Sequence, residues 1–119
     1  MTRKEYLIQL KSASLDAKVV KQVENVYGCA LPEVVKQILS FSKESVFFDD
    51  EWRALSPAEV IDAQEDLHID FKAAGLIPLF DCGENDFIVY HISEDSLSKY
   101  NIVDEIVFKK RPRLEDLLV

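Results

Sequence analysis

The densest group of chemically active side chains in the sequence is the run Asp81-Cys82-Gly83-Glu84-Asn85-Asp86. Three carboxylates and a thiol this close together could bind a metal ion or form part of an active site. A calcium loop, however, needs more oxygen ligands and a D-x-D-x-D-G spacing that this run lacks. Gly83 and Asn85 tolerate positive φ, and the carboxylate of Asp81 or Asp86 can accept hydrogen bonds from turn amides. The run therefore predicts the turn of a β-hairpin.

The histidines and cysteines show no catalytic or metal-binding spacing. His68 and His91 belong to no H-E-x-x-H pattern, no G-x-S-x-G occurs, and Cys29 and Cys82 form no C-x-x-C. The three glycines are dispersed and form no phosphate-binding loop. We therefore expect no catalytic residue, no metal and no cofactor. In a reducing cytoplasm both thiols should be free.

The charge of the chain is acidic and unevenly distributed. The 119 residues carry a formal net charge of −8, and residues 29–108 hold seventeen acidic and five basic side chains. Such a body repels phosphate backbones, which argues against nucleic acid and anionic membranes as partners, and it attracts basic proteins. The alternative is that the acidic excess serves only solubility. No apolar run approaches the roughly 18 residues of a membrane span, so we expect a cytoplasmic protein.

The N-terminal third predicts three helices. Thr2 and Glu5 form a capping-box pattern, and Ser14 is a candidate cap for a second helix that ends at Gly28. Pro32 suits the first position of a third helix, whose inward side would carry Val35, Ile38 and Leu39.

The remainder predicts strands around one further helix. "SVFF" and "WRAL" are short β-prone runs, and Ser56-Pro57-Ala58-Glu59 opens a helix that we expect to extend past His68 to Gly75. "LIPLF", "DFIVYHI" and "NIVDEIVFKK" predict three strands, and "RPRLEDLLV" a short terminal helix. We expect residues 77–80 and 86–92 to pair antiparallel, with Ile88 and Val89 on opposite buried faces. This order favours a single α+β domain over residues 1–119.

Trp52, the only tryptophan, directly follows three consecutive acids. It is either an aromatic side chain packed in the core or an aromatic contact for a partner, rimmed by acids. The sequence leaves both readings open. The candidate partner-binding residues are Asp49, Asp50, Glu51, Trp52 and Glu84.

Four motifs, in this order over residues 23–118, resemble the SUKH superfamily of bacterial immunity proteins and fungal cell-wall regulators. "VENVYGCALPEVVKQIL" is similar to its E-x-x-x-G-x-x-L-P entry, and "WRALSPAEV" to its Trp and Leu-Ser-x-x-Glu segment. "LIPLFDCGENDFIVYHI" resembles its I-P-hydrophobic-x-x-x-G-x-G-D strand pair, with Asn85 in place of the second glycine, and "RPRLEDLL" its closing helix. The motif positions expected to be structural are Gly28, Leu31, Pro32, Trp52, Pro78, Gly83 and Asp86.

The resemblance implies a bent, mainly antiparallel sheet of about four to six strands flanked by helices. It also implies a protein without catalysis that neutralises a cognate toxin domain, often a nuclease or another basic effector, by direct binding. The alternative is an adaptor or regulatory domain of the same fold with another protein partner. A small hydrolase remains a third hypothesis, and a pocket that joined His91 to a carboxylate would favour it. As for assembly, we expect a monomer or a weak dimer.

Overall fold

The computed structural model describes residues 1–118, which form five helices and one open, six-stranded antiparallel sheet. The helices are α1 (Arg3–Leu10), α2 (Ala17–Tyr27), α3 (Glu33–Phe41), α4 (Pro57–Leu67) and α5 (Phe71–Ala74). The strands are β1 (Val46–Phe47), β2 (Arg53–Ala54), β3 (Leu76–Asp81), β4 (Asp86–His91), β5 (Ser96–Asn101) and β6 (Ile106–Arg111). A 3-10 turn covers Leu114–Asp116. The predicted α+β class is confirmed.

The strands follow one another across the sheet in chain order, from β1 at one edge to β6 at the other. The predicted hairpin is confirmed, because β3 and β4 pair antiparallel through the turn at residues 82–85. β4 is also a central strand, since its other side pairs with β5. Ile88 and Val89 are adjacent in β4, so they point to opposite faces, and both are completely buried.

The helix ends largely follow the predicted capping chemistry. Thr2 opens α1 and Ser56 opens α4, each through a complete capping box. Gly28 ends α2 at φ 69°, in the left-handed region that favours glycine. The prediction of Ser14 as a cap was wrong: Asp16 caps α2, because its carboxylate accepts from the Lys18 and Val19 amides. Pro32 precedes α3 as its N-cap residue, one position earlier than expected.

The helix that follows Ser56 is shorter than predicted. It ends at Leu67, and His68 adopts φ 57° in the left-handed region. A second cap restarts the chain as α5, since the Asp70 carboxylate accepts the Ala73 amide at 3.0 Å. Apolar residues recur at helical spacing beyond His68, which is why a longer helix was predicted. The hydrogen bond that Asp70 makes to its own backbone segment competes with a continuous helix.

The last part of the sheet also differs from the prediction. "NIVDEIVFKK" is not one strand: Asn101 ends β5, residues 102–105 form a turn, and Ile106 begins β6. Strand β5 was missed because "SLSKYN" has only two large apolar residues, although Leu97 and Tyr100 are both buried. The turn follows from Asn101, whose side-chain oxygen accepts from the Val103 and Asp104 amides.

Helices approach both faces of the sheet near β3. Tyr6 of α1 packs edge-on against Phe80, with ring centroids 5.7 Å apart. Asp81 lies on the opposite face, where Arg53 reaches the Glu59 carboxylate of α4. Where a short terminal helix was predicted, the described part of the segment forms only the 3-10 turn at Leu114–Asp116. Three leucines of this segment are buried: Leu114, Leu117 and Leu118. The faces of the central strands are therefore covered.

Candidate functional site

Three hairpin turns lie at the same end of the sheet. Consecutive antiparallel strands place alternate turns at opposite ends, so the β1–β2, β3–β4 and β5–β6 turns share one end. The pairing registers agree, since Arg53 lies opposite Asp81 and Asp86 lies opposite Asn101. A backbone hydrogen bond of 2.9 Å from Ile102 to Asn85 joins two of the turns directly.

Acidic side chains concentrate on these turns. We call the acidic end the set of six exposed carboxylates that the three turns carry: Asp49, Asp50, Glu51, Glu84, Asp104 and Glu105. Strands are about 4.8 Å apart, so turns spread over a six-stranded sheet cover roughly 25 Å. That width matches a protein surface and exceeds what a single small molecule needs.

The acids predicted as partner-binding candidates differ in their pairing. Asp49 lies 3.0 Å from the N-terminal ammonium, and Asp50 lies 2.8 Å from the Arg3 guanidinium. Within residues 1–118, neither Glu51 nor Glu84 takes part in an ion pair. Two of the four acids are therefore partly neutralised by the chain itself.

Trp52 contacts cations of its own chain. The Arg3 guanidinium carbon lies 4.2 Å from the ring centroid, and the Lys99 ammonium nitrogen lies 4.5 Å from it. Such cation–π contacts hold the half-buried ring beside the acidic end. The geometry favours packing as the main role of Trp52, and any contact with a partner would form at the edge of this group.

The family-motif residues occupy structural positions. Glu24 accepts the Leu31 amide at 2.9 Å and so bridges the bend between α2 and α3. Gly83 has φ 79°, and its amide donates to the Asp81 carboxylate at 2.9 Å. The Asp86 carboxylate accepts from the Asn101 side-chain amide at 2.8 Å. Asp81, rather than Asp86, therefore bonds the turn amide, whereas Asp86 joins the β3–β4 hairpin to the end of β5.

The remaining motif residues pack in the interior or shape the backbone. Leu31 is buried at the entry to α3, and Pro78 is buried inside β3, where it pairs with Val89.

The histidine of the hydrolase hypothesis lies at the opposite end of β4. His91 Nε2 and Ser98 Oγ are 2.6 Å apart, the contact that a base and a nucleophile would make. Ser98, however, is completely buried, so a substrate has no access to its hydroxyl. The nearby Glu94 carboxylate pairs with Lys110. Burial, together with the charge of Lys110, lowers the pKa of His91, and the pair is best understood as a cross-strand hydrogen bond.

A small, partly enclosed cleft lies beside α4. Its polar lining is Arg53 between the carboxylates of Glu59 and Asp81, and its apolar lining includes Leu55 and Phe87. It offers about 80 Å³, whereas pockets for drug-sized ligands hold roughly 300–1,000 Å³. Arg53 already occupies the polar side, so the cleft is a half-buried ion-pair network more than a substrate site.

Neither thiol is placed for chemistry. Cys29 and Cys82 are free, and burial raises the pKa of Cys82 to about 12, which keeps it protonated and unreactive at neutral pH. Among residues 1–118, no three His, Cys, Asp or Glu side chains come together as a metal site.

Comparison with models of known protein families finds none that matches the chain. Comparison with curated proteins likewise finds no matching sequence. None of the helices in the described part of the chain combines the length and the apolar character that a membrane span requires.

Two residues of the acidic end were not predicted as candidates from the sequence. Asp104 and Glu105 were assigned to a strand, and only the division between β5 and β6 places them on a turn. The sequence did contain an indication of this turn. Two adjacent acids interrupt an apolar run three residues after Asn101, and an asparagine side chain can form a turn with the amides that follow it.

Proposed function

We propose that this protein is a non-catalytic, cytoplasmic immunity protein of the SUKH type that neutralises a cognate toxin domain by direct binding. The alternative is an adaptor or regulatory domain of the same fold that binds another protein. In both cases the partner presents a basic surface, and the acidic end of the sheet is the face that receives it.

The observation that supports this proposal is the convergence of three acidic turns on one end of the sheet. Complementary charge steers encounter and raises association rates by roughly 10- to 1,000-fold at low salt. A toxin that acts on nucleic acid has a basic substrate-binding face, and an acidic protein of this kind would occlude it. Exposed carboxylates at the rim of such an interface act mainly on the association rate.

The backbone of the turns favours a binding role over mere solubility. Glu51, Glu84 and Glu105 all have positive φ, between 54° and 72°. A glutamate at such a position is less stable than glycine, which adopts the left-handed region readily, or than asparagine and aspartate, which adopt it occasionally. Solubility alone needs no acid at a strained position, because the chain has many unstrained exposed positions.

The first test is rescue of growth. A cell that expresses the toxin domain encoded beside this gene should stop growing, and co-expression of this protein should restore growth. Rescue, with a stable complex of the two purified proteins, would support immunity. A lack of rescue, with binding to a different cellular protein, would favour the adaptor.

The second test locates the binding face. Glu51→Lys combined with Glu84→Lys should slow association with the partner roughly tenfold at low salt, with the difference shrinking as salt screens the charges. The matched control is Asp62→Lys with Glu65→Lys, which makes the same charge change at two exposed positions of α4. If the control slows association as much as the turn variant, net charge alone explains the effect and the acidic end is not the binding face.

A further inference from the structure

Strand β6 exposes three consecutive large apolar side chains. Ile106 is 53% exposed, Val107 41% and Phe108 51%. β6 pairs with β5 on one side only, and within residues 1–118 no strand pairs with its outer edge. An exposed apolar edge strand is a template for pairing with another strand, and natural proteins rarely leave one uncovered.

Phe108 has no partner within the sheet. A β-bulge sets Lys99 opposite Lys109 and Tyr100 opposite Val107, so Phe108 has no residue opposite it. Its ring is half exposed, and burying it on another strand would remove substantial apolar area from water.

The charges around β6 are arranged in a self-complementary order. Asp104 and Glu105 precede the strand, and its C-terminal half carries Lys109, Lys110 and Arg111. Lysines on an edge strand usually prevent pairing with another chain. Here an antiparallel copy of the same strand would bring the acidic turn of each chain beside the basic half of the other.

We propose that the protein forms a homodimer in which β6 pairs antiparallel with β6 of a second copy, centred near Val107 and Phe108. The two sheets then continue into one another, and two clusters of opposite charge flank a central apolar contact. One strand per copy buries less than the roughly 1,200 Å² at the lower limit of standard interfaces, so we expect a weak dimer with a dissociation constant in the micromolar range. This inference does not depend on the proposed function, although Asp104 and Glu105, which belong to the acidic end, would face the second copy in the dimer.

The first experiment measures mass by sedimentation or light scattering between about 1 µM and 1 mM, a range that brackets micromolar dissociation. We expect the mass to rise with concentration from the 13.6 kDa of one chain towards twice that value. Hydrogen exchange should show amides of β6 that gain protection only at the higher concentrations. A wild-type protein that keeps the monomer mass throughout overturns the proposal.

Reciprocal charge reversal tests the orientation. Asp104→Lys with Glu105→Lys, and separately Lys109→Glu with Arg111→Glu, should each abolish the homodimer, since each variant brings like charges together. An equimolar mixture of the two variants should restore a dimer of the mixed type. Dimers that survive in both separate variants, or a mixture that stays monomeric, overturn the antiparallel β6 arrangement.

A matched pair of surface variants tests the apolar contact. Phe108→Lys should abolish dimerisation, whereas Ile8→Lys, at a 63% exposed side chain of α1, should leave it unchanged. Circular dichroism and melting temperature establish that each variant is folded. If Phe108→Lys is folded and still dimerises, a surface other than β6 forms the contact.

Discussion

Three glutamates at positive φ allow stability and binding to be separated by mutation. Glu51, Glu84 and Glu105 have φ values of 72°, 54° and 56°. An L-residue in the left-handed region costs about 1–2 kcal/mol, and glycine, which avoids this cost, loses about 0.5–1 kcal/mol in backbone entropy. Each Glu→Gly change should therefore stabilise the fold by about 0.5–1 kcal/mol.

The three sites lie on separate turns, so the gains should add to about 2 kcal/mol. For a domain of this size that gain raises the melting temperature by roughly 5–10 °C. The triple glycine variant should therefore be more stable than the wild type in thermal and urea unfolding. It should also associate more slowly with a basic partner, because three exposed carboxylates are gone.

Two controls separate backbone strain from charge. Replacing the same three residues by glutamine removes the charges and keeps a side chain at positive φ, so little stability should be gained. Glu44→Gly, at an exposed bend without positive φ, should lower stability by about 0.5–1 kcal/mol. If the triple glycine variant is no more stable than the triple glutamine variant, the glutamates are not strained and the reasoning is refuted.

Two further predictions concern residues close to the site. Asp86→Asn should lower stability by about 1 kcal/mol in urea unfolding, because a charge-assisted bond to Asn101 becomes a neutral one; a binding constant that falls in fully folded protein would contradict a purely structural role. The pKa of His91 is lowered, so the folded state favours the neutral imidazole. The stability that this histidine contributes is therefore complete above about pH 6.5 and is lost as the pH falls from there through the pKa of the folded state. His91→Gln should accordingly flatten the decline in melting temperature between pH 7 and pH 5, and an unchanged slope would exclude this histidine as the cause.

Local chemistry was the part of the fold most accurately predicted from the sequence. The capping boxes at Thr2 and Ser56 involve residues three positions apart, so their geometry is determined without tertiary contacts. The hairpin at residues 81–86 was predictable for a similar reason, since Gly83 and Asn85 supply the positive φ that the turn requires.

The errors arose where one local signal competed with another. Both Ser14 and Asp16 can cap a helix, and the Asp16 amide is also held by the buried Ser40 hydroxyl at 2.8 Å, a contact that requires α3 to be in place. The β5 strand was missed because its burial comes from neighbouring strands more than from its own composition. The candidate site was incomplete for a related reason: Asp104 and Glu105 lie on a turn only because the chain divides into β5 and β6 around them.

The turns of the sheet thus contain two kinds of positive-φ residue. Asn85 and Gly83 satisfy the backbone at little cost, and they account for a stable hairpin without any function. Glu51, Glu84 and Glu105 adopt the same backbone region at a cost in stability, and a protein selected for stability alone would replace them. Local rules are most often broken at functional sites, because there the side chain is retained for what it does at the surface. At the opposite end of the sheet the β4–β5 turn has one acid at positive φ, Asp95 at 49°, but aspartate enters this region more readily than glutamate. A glutamate repeated at positive φ on three separate turns, all at one end of the sheet, supports selection for a basic partner at that end.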